Sequence, residues 1–178
     1  MQIPSTENSA KKRYLTVLLI VFTVVILDYF TKRYAEASLV PGVAKDYLNG
    51  FFRIVYAENT GAFLGMGGQL GKVPRFLIFT AATSLFLVFV AFTTLRQKDI
   101  DSYELVAVSL IIGGGIGNLI DRVVRVDGAV IDFMNMGIGS LRTGIFNVAD
   151  VALTAGVLLW LLPLRRSARA MEVPEVTS

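Results

Sequence analysis

Residues 103–120, YELVAVSLIIGGGIGNLI, form an apolar run with a single charged residue, Glu104. Crossing a hydrocarbon core of ~30 Å takes about 20 mainly apolar residues in a helix. Three other runs, residues 14–30, 76–95 and 148–164, have the same character. The sequence therefore predicts an all-α polytopic membrane protein with four transmembrane helices.

The composition agrees with a membrane environment. The chain is 54% hydrophobic and 17% charged, with a mean hydropathy of +0.62. The formal net charge of +3 does not indicate nucleic-acid binding, because Lys and Arg flank the apolar runs and form no continuous basic face. The absence of Cys and His excludes thiol nucleophiles and the usual zinc ligands, so we expect neither a metal nor another cofactor.

Four spans place both termini on one side of the membrane. Residues 1–13 and 165–178 are then tails on that side, residues 14–164 are the membrane domain, and residues 31–75 and 121–147 are loops on the other side. The terminal side carries eight Lys and Arg against nine opposite, which does not settle the orientation. The basic clusters at residues 11–13 and 165–166 directly abut spans and favour cytoplasmic termini.

The ends of the chain raise two further points. Lys11-Lys12-Arg13 before the first run resembles the start of a signal peptide, but no small-residue cleavage pattern follows, so we expect a retained helix. The polar ends, residues 1–10 and 167–178, are expected to be disordered.

Both large loops carry β-strand patterns. Residues 51–56, FFRIVY, are aromatic and β-branched, and they lead to a glycine-rich stretch at residues 61–71. In the second loop, residues 123–126 and 129–131 flank Asp127-Gly128, a strong hairpin signal. We expect a small β cradle on the outer membrane surface, with the glycine-rich stretch as its mobile part.

Ionisable residues near the spans indicate a structural or functional role, since inserting one at the centre of a spanning helix costs ~2.5 to 3.5 kcal/mol of free energy. Asp28 and Lys32 end the first apolar run at i, i+4 spacing, so a helix that continues this far places them on one face. They are either a structural ion pair or part of a site.

The third run ends with four glycines between residues 113 and 117, followed by Asn118, Asp121 and Arg122. Phosphate-binding loops follow a strand, so close helix packing is the better interpretation of glycines inside a span. Asn118, Asp121 and Arg122 share a helix face, where Arg122 is placed to neutralise Asp121 or to contact a substrate backbone.

Two more acids lie near the fourth run. Asn147 is a good N-cap, and Asp150 suits a capping box at the positive end of a helix. Asp132 stands between apolar residues after the hairpin signal, where a lone acid often makes turn hydrogen bonds. Because the third span, this loop and the fourth span are consecutive, Asp132 and Asp150 can instead meet at the outer surface.

Two adjacent carboxylates cannot both be ionised, so one holds a proton while the other activates water. We expect Asp150 to be the ionised base and Asp132 the protonated acid. Two rivals remain: a serine–lysine protease using Lys32 as base, and a small proton- or ion-coupled membrane transporter.

Four blocks in order give the chain a resemblance to the bacterial lipoprotein signal peptidases, or signal peptidases II. These are Asp28-x-x-Thr31-Lys32, Asn59-Thr60-Gly61-Ala62-Phe63, Gly117-Asn118-x-x-Asp121-Arg122 with Val130-x-Asp132-Phe133, and Phe146-Asn147-x-Ala149-Asp150.

The resemblance implies an aspartyl endopeptidase of the bacterial inner membrane, with cytoplasmic termini and an active site near the periplasmic face. It would cut diacylglyceryl-modified prolipoproteins immediately before the lipidated cysteine. Membrane phospholipid and the family inhibitor globomycin would also bind. The dyad would be Asp132 and Asp150, with Asp121 its main rival. The implied substrate-binding or supporting residues are Asp28, Lys32, Asn59, Gly61, Asn118, Asp121, Arg122, Asn147 and Ala149.

Overall fold

The computed structural model of the chain describes residues 6–61, 66–97 and 100–162, with side chains from Ala10 onward. The predictions for residues 163–178, and for Ala62 and Phe63, lie outside the described residues. The elements in chain order are α1 (Thr6–Ser38), β1 (Lys45–Tyr47), β2 (Phe52–Asn59), α2 (Lys72–Arg75), a π-helical segment (Phe76–Ala82), α3 (Thr83–Arg96), α4 (Ser102–Val124), β3 (Val130–Ile138), β4 (Leu141–Arg142) and α5 (Val148–Leu161).

Three helical stretches in the described part are long and apolar enough to cross a membrane: residues 10–38, 72–96 and 102–124. The second is continuous through α2, the π-helical segment and α3. The fourth predicted span is present as α5, but its 14 described residues rise only about 21 Å, less than a hydrocarbon core. The several apolar helices are confirmed.

Helix α1 is longer than its apolar run. It begins at Thr6, so residues 6–10, expected to be disordered, are helical, and it continues to Ser38. The continuation brings Asp28 and Lys32 onto one face, where the ammonium lies 2.7 Å from the carboxylate. The predicted i, i+4 pair is confirmed.

Helix α4 lies at the centre of the helices, and its glycines permit the close approach. A Cβ at Gly114 would overlap the carbonyl oxygen of Ala149 in α5. A Cβ at Gly117 would lie 2.7 Å from an Asp28 carboxylate oxygen in α1. The interpretation of these glycines as packing residues is confirmed, and the same packing brings α1 and α5 to the polar end of α4.

The two large loops form one antiparallel sheet in the order β1-β2-β3-β4. The predicted strand at residues 51–56 is confirmed as part of β2. The predicted hairpin around Asp127-Gly128 is wrong, because Val123 and Val124 belong to the last turn of α4. Strand β3 instead pairs with β2 from the other loop. Strand β2 supplies the apolar and aromatic partner side chains, because the residues before the turn are helical and cannot.

The segment between β4 and α5 is hydrogen-bonded to β3, which fixes the start of α5. Phe146 and Met134 exchange backbone hydrogen bonds of 2.8 Å in both directions. Since Asn147 follows directly and Asp132 lies two residues before Met134, the N-cap of α5 is held beside Asp132.

Candidate active site

A buried ammonium group lies at the base of the polar cluster. Lys32, 1% exposed, places Nζ 2.7 Å from Asp28, 3.0 Å from Asp121 and 3.0 Å from the side-chain oxygen of Asn118. A lysine ammonium has three donors, and here each has an acceptor. The cluster therefore holds two buried carboxylates around a single buried ammonium.

The two acids around Lys32 also hold main-chain groups. Asp28 accepts a hydrogen bond of 2.9 Å from the backbone N–H of Ala149, in the first turn of α5. Asp121 accepts one of 3.2 Å from the backbone N–H of Ile131, in β3. The cluster thus fixes both elements that carry the proposed dyad. The supporting role predicted for Asp28, Lys32 and Asp121 stays a prediction.

Two asparagines extend the network from Lys32 towards the dyad. The side-chain oxygen of Asn118 accepts from Lys32 and from the Asn147 amide at 3.0 Å, and its nitrogen donates to Asp150 at 2.8 Å. Asn147 is fully buried and donates to Asp132 at 2.7 Å. The Asn118 side chain therefore contacts Asp150, the Asn147 side chain contacts Asp132, and the two side chains contact each other.

The capping role predicted for Asp150 is confirmed, and its catalytic role stays a prediction. Asn147 caps α5, accepting from the Asp150 backbone N–H at 2.9 Å, and the Asp150 carboxylate accepts from the Asn147 backbone N–H at 3.1 Å. This is the predicted capping box. The other carboxylate oxygen accepts from Asn118, so capping leaves Asp150 facing the site.

Asp132 is 2% exposed and lies on β3. Its two carboxylate oxygens accept from Asn147 at 2.7 Å and from Asn59 at 3.0 Å. Asn59 reaches it because β2 and β3 pair Asn59 with Val130 and Ala57 with Asp132, which puts Asn59 diagonally across the ladder. The alternative of a lone loop acid making turn hydrogen bonds does not fit, because Asp132 lies within a strand and accepts from Asn59 and Asn147.

The environment of Asp132 favours its protonated form. Burial, followed by the negative charge of Asp150, raises the pKa of Asp132 to about 7. The hydrogen bonds from Asn59 and Asn147 and the charge of Lys32 act in the opposite direction but are smaller. A carboxyl with a pKa near 7 can hold a proton at neutral pH and still release it.

Arg122 does not pair with Asp121, which is one of the two roles predicted for it, and the other, contact with a substrate backbone, stays a prediction. Its guanidinium donates to the carbonyl oxygens of Gly61 and Gly128, and it lies 5.3 Å from the ring centre of Phe79. The salt-bridge partner of Asp121 is instead Lys32, with Arg33 at 3.6 Å. Arg122 therefore joins the two loops to α4, and the predicted Arg122–Asp121 neutralisation by direct pairing is wrong.

The structure brings all eleven predicted site residues into one region, at the ends of α1 and α4, the start of α5, and strands β2 and β3. Gly61 belongs to it through main-chain atoms, since its N–H donates to Asn59 at 3.0 Å and its carbonyl accepts from Arg122. The main-chain groups of Ile131 and Gly128 and the ring of Phe79 also take part. No sequence pattern marks them, because their contributions depend on tertiary position.

In the described part of the chain, the polar contacts of Lys32 are with two carboxylates and an amide oxygen, and none is with a serine, as the serine–lysine alternative would require. Ser84 and Ser109 each donate at 2.6 Å to the carbonyl four residues earlier on their own helices, Thr80 and Leu105. Ser38 is the last residue of α1 rather than a loop residue. Lys32 is occupied by two carboxylates and an amide oxygen, so it is not an available base.

Comparisons with known proteins agree with one another. A family model described as signal peptidase (SPase) II matches residues 20–165. The lipoprotein signal peptidase of Staphylococcus haemolyticus is 33% identical over 91% of this chain and 99% of its own length, and that of Thermodesulfovibrio yellowstonii is 38% identical over 79% and 88%.

Two solved structures of bacterial membrane enzymes are similar throughout. One has a TM-score of 0.77 at 30% identity, covering 91% of this chain and 94% of that chain, and the other has 0.70 at 32%, covering 85% and 94%. Neither they nor the relatives support the transporter alternative. Because the family model matches most of the sequence and the relatives match over nearly their whole lengths, the chain belongs to the signal peptidase II family.

Proposed function

We propose that the chain is a membrane aspartyl endopeptidase that cleaves the signal peptide from diacylglyceryl-modified prolipoproteins, immediately before the lipidated cysteine. Its dyad is Asp132 and Asp150. The observation that carries this assignment is the Asn147 side chain, which donates to Asp132 while its backbone N–H donates to Asp150. One buried residue thus holds both carboxyl groups at the same place.

The chemistry needs only these two groups and water. Asp150 accepts a proton from water as the water oxygen bonds to the scissile carbonyl carbon, and Asp132 donates its proton to the carbonyl oxygen. The tetrahedral intermediate then returns one hydroxyl proton to Asp132. The C–N bond breaks as Asp150 gives its proton to the departing cysteine nitrogen, which restores both acids. Nothing in this cycle requires a metal or cofactor.

The remaining predicted residues have supporting roles. Asn59, Asn118 and Asn147 orient the dyad through the hydrogen bonds described above, and Arg122 with Gly61 holds the first loop against α4. Asp28, Lys32, Asp121 and the backbone N–H of Ala149 fix the helix ends. Globomycin, as an inhibitor of the family, would bind in competition with the prolipoprotein at this site.

We place the protein in the bacterial cytoplasmic (inner) membrane, with four spans, both termini in the cytoplasm and the dyad near the periplasmic face. All the site elements lie at one end of the helices. At the opposite end, Arg13 of the basic cluster donates at 2.6 Å to the carbonyl oxygen of Gln97, between α3 and α4. Basic residues at this end are typical of a cytoplasmic surface. The β sheet then forms a periplasmic cradle.

The test compares cleavage of a diacylglyceryl-modified prolipoprotein by purified wild-type, Asp132→Asn and Asp150→Asn proteins in detergent. Positioned acids and bases contribute about 10² to 10⁴-fold to rate, so each variant is expected to lose at least about 10²-fold. Asp46→Asn is the matched control, because Asp46 is an exposed acid of β1 paired with Arg53. Cleavage at the wild-type rate by either dyad variant would contradict the assignment.

A further inference from the structure

A cavity lies beside the candidate active site but apart from the dyad. It has a volume of about 450 Å³ and is situated between the start of the 72–96 helix and the end of α4. Neither Asp132 nor Asp150 lines it. Its lining is unusually basic, with the side chains Lys72, Arg75, Arg122 and Arg125.

The charge of this cavity is only partly compensated. Arg125 pairs with Glu36 and Glu58 outside the cavity. Lys72 and Arg75, by contrast, form no ion pair with the part of the chain that the structure describes.

One unpartnered donor adds to this excess of positive charge, and one acid of the lining, Asp127, offsets part of it. The buried Nε atom of Arg75 has no hydrogen-bond partner among the described residues. The acid at the rim, Asp127, accepts a hydrogen bond from the backbone N–H of Ala129 at 3.2 Å and makes no ion pair in the described part of the chain. The cavity therefore offers donors and positive charge to an anion.

The surroundings of the cavity are apolar. Phe76, Val123 and Val124 line it and are well exposed, as is the neighbouring side chain of Val73. Cationic groups beside exposed apolar helix surface suit a ligand with an anionic head and hydrocarbon chains. A soluble anion would use the cations but not the apolar surface.

We propose that this cavity binds the phosphate headgroup of an anionic glycerophospholipid, whose acyl chains lie along the apolar side chains beside it. The proposal rests on the proposed function only in taking this end of the helices to lie at the outer membrane surface. It identifies where membrane phospholipid binds and which lipid class the protein selects. Lys72 and Arg75 provide the uncompensated charge, and Arg122 links this lipid to the adjacent peptidase site.

The test measures lipid retained by the full chain in detergent, using native mass spectrometry with equal amounts of phosphatidylglycerol and phosphatidylcholine. The wild type is expected to retain phosphatidylglycerol preferentially. In the double variant Lys72→Gln/Arg75→Gln, the ratio of retained phosphatidylglycerol to phosphatidylcholine should fall about fivefold for each cation removed, or about 25-fold in all. Lys11→Gln/Lys12→Gln removes the same charge from exposed residues at the opposite end and should leave the preference unchanged.

Three outcomes would overturn the proposal. One is equal retention of both lipids by the wild type, and another is an equal loss in both double variants, which would indicate nonspecific attraction. The third is full displacement of the lipid by millimolar inorganic phosphate, which would assign the cavity to the free anion. Arg75→Lys, which keeps the charge, should retain the preference within about twofold and shows that a loss is electrostatic.

Prolipoprotein cleavage by the same preparations separates this proposal from the peptidase assignment. Wild-type protein that selects phosphatidylglycerol without cleaving the substrate would contradict the proposed function alone. Protein that cleaves the substrate without selecting the lipid would contradict this inference alone.

Discussion

Replacing Lys32 with Met tests the base of the polar cluster directly. The substitution keeps a long, unbranched side chain but removes the ammonium, which contacts Asp28 at 2.7 Å and Asp121 at 3.0 Å. Asp28 is 1% exposed and would retain one described hydrogen bond, from the Ala149 backbone N–H. Asp121 would keep the Ile131 N–H and the more distant Arg33. The damage should therefore fall mainly on Asp28.

The size of the effect follows from leaving a buried charge without its partner. Removing one member of a buried ion pair costs about 3 to 5 kcal/mol. For a chain of 178 residues, each kcal/mol lowers the midpoint of thermal unfolding by about 2 to 4 °C, which gives a decrease of about 6 to 20 °C. Adding Asp28→Asn to Lys32→Met removes the stranded carboxylate, so the double variant should regain part of this loss.

The assay is thermal unfolding in a fixed detergent, followed together with prolipoprotein cleavage. Lys12→Met is the matched control, because the same substitution on an exposed lysine of the same helix should change the midpoint by no more than about 2 °C. If Lys32→Met unfolded within about 2 °C of the wild type, the buried pair would not be a stabilising element. A double variant less stable than Lys32→Met would also refute the reasoning, since the amide that replaces the Asp28 carboxylate is neutral and leaves no unpaired charge.

Three further changes address the dyad and its frame. Since the pKa of Asp132 is raised to about 7 and its protonated form is the acid, cleavage should fall about tenfold per pH unit above pH 7 in a pH–rate profile; an unchanged rate to pH 9 would contradict this. The same raised pKa means that the native state binds the extra proton, so the free energy of unfolding should decrease as pH rises from about 4 to about 7, less so in Asp132→Asn. Asn147→Ala removes the α5 cap and should lower the free energy of unfolding by about 0.5 to 2 kcal/mol. The loss of cleavage rate should exceed the loss of folded protein, because Asn147 also contacts both carboxyl groups. Gly114→Ala would force its Cβ against the Ala149 carbonyl and should cost about 1 to 3 kcal/mol, whereas Gly71→Ala, with its nearest contact at 3.8 Å, should unfold like the wild type.

Much of the fold follows from local sequence pattern. The apolar runs predict the helices because about 20 consecutive, mainly apolar residues in a helix are enough to cross the hydrocarbon core. The Asn147 cap and the Asp28–Lys32 pair are predictable for the same reason, since both depend on spacing within a single helix. The sequence also indicates the strand in the first loop, although β2 extends three residues past the predicted end to Asn59.

The failures lie where distant segments meet. Asp127-Gly128 is a strong turn signal, yet the residues before it remain helical and the partner of β3 comes from a loop about 75 residues earlier in the chain. Arg122 adjoins Asp121 in sequence, but consecutive helix residues point about 100° apart, so the Lys32 ammonium on α1 reaches Asp121 instead. Local spacing identified residues that the structure brings together, whereas their partners are decided by how α1, α4 and the sheet pack.

The two acids of the proposed dyad accept equal numbers of described hydrogen bonds, so burial and the charge of the neighbouring acid distinguish them. Each carboxylate accepts two described hydrogen bonds: Asp132 from Asn59 and Asn147, and Asp150 from Asn118 and the Asn147 backbone. Asp150 lies in the first turn of α5, whose positive end favours negative charge, and it is only half-buried. Asp132 is enclosed on β3 beside the negative charge of Asp150, and both raise its pKa, so we propose that it carries the shared proton. On that proposal, a strand and a helix start held side by side give one aspartate the role of acid and the other the role of base.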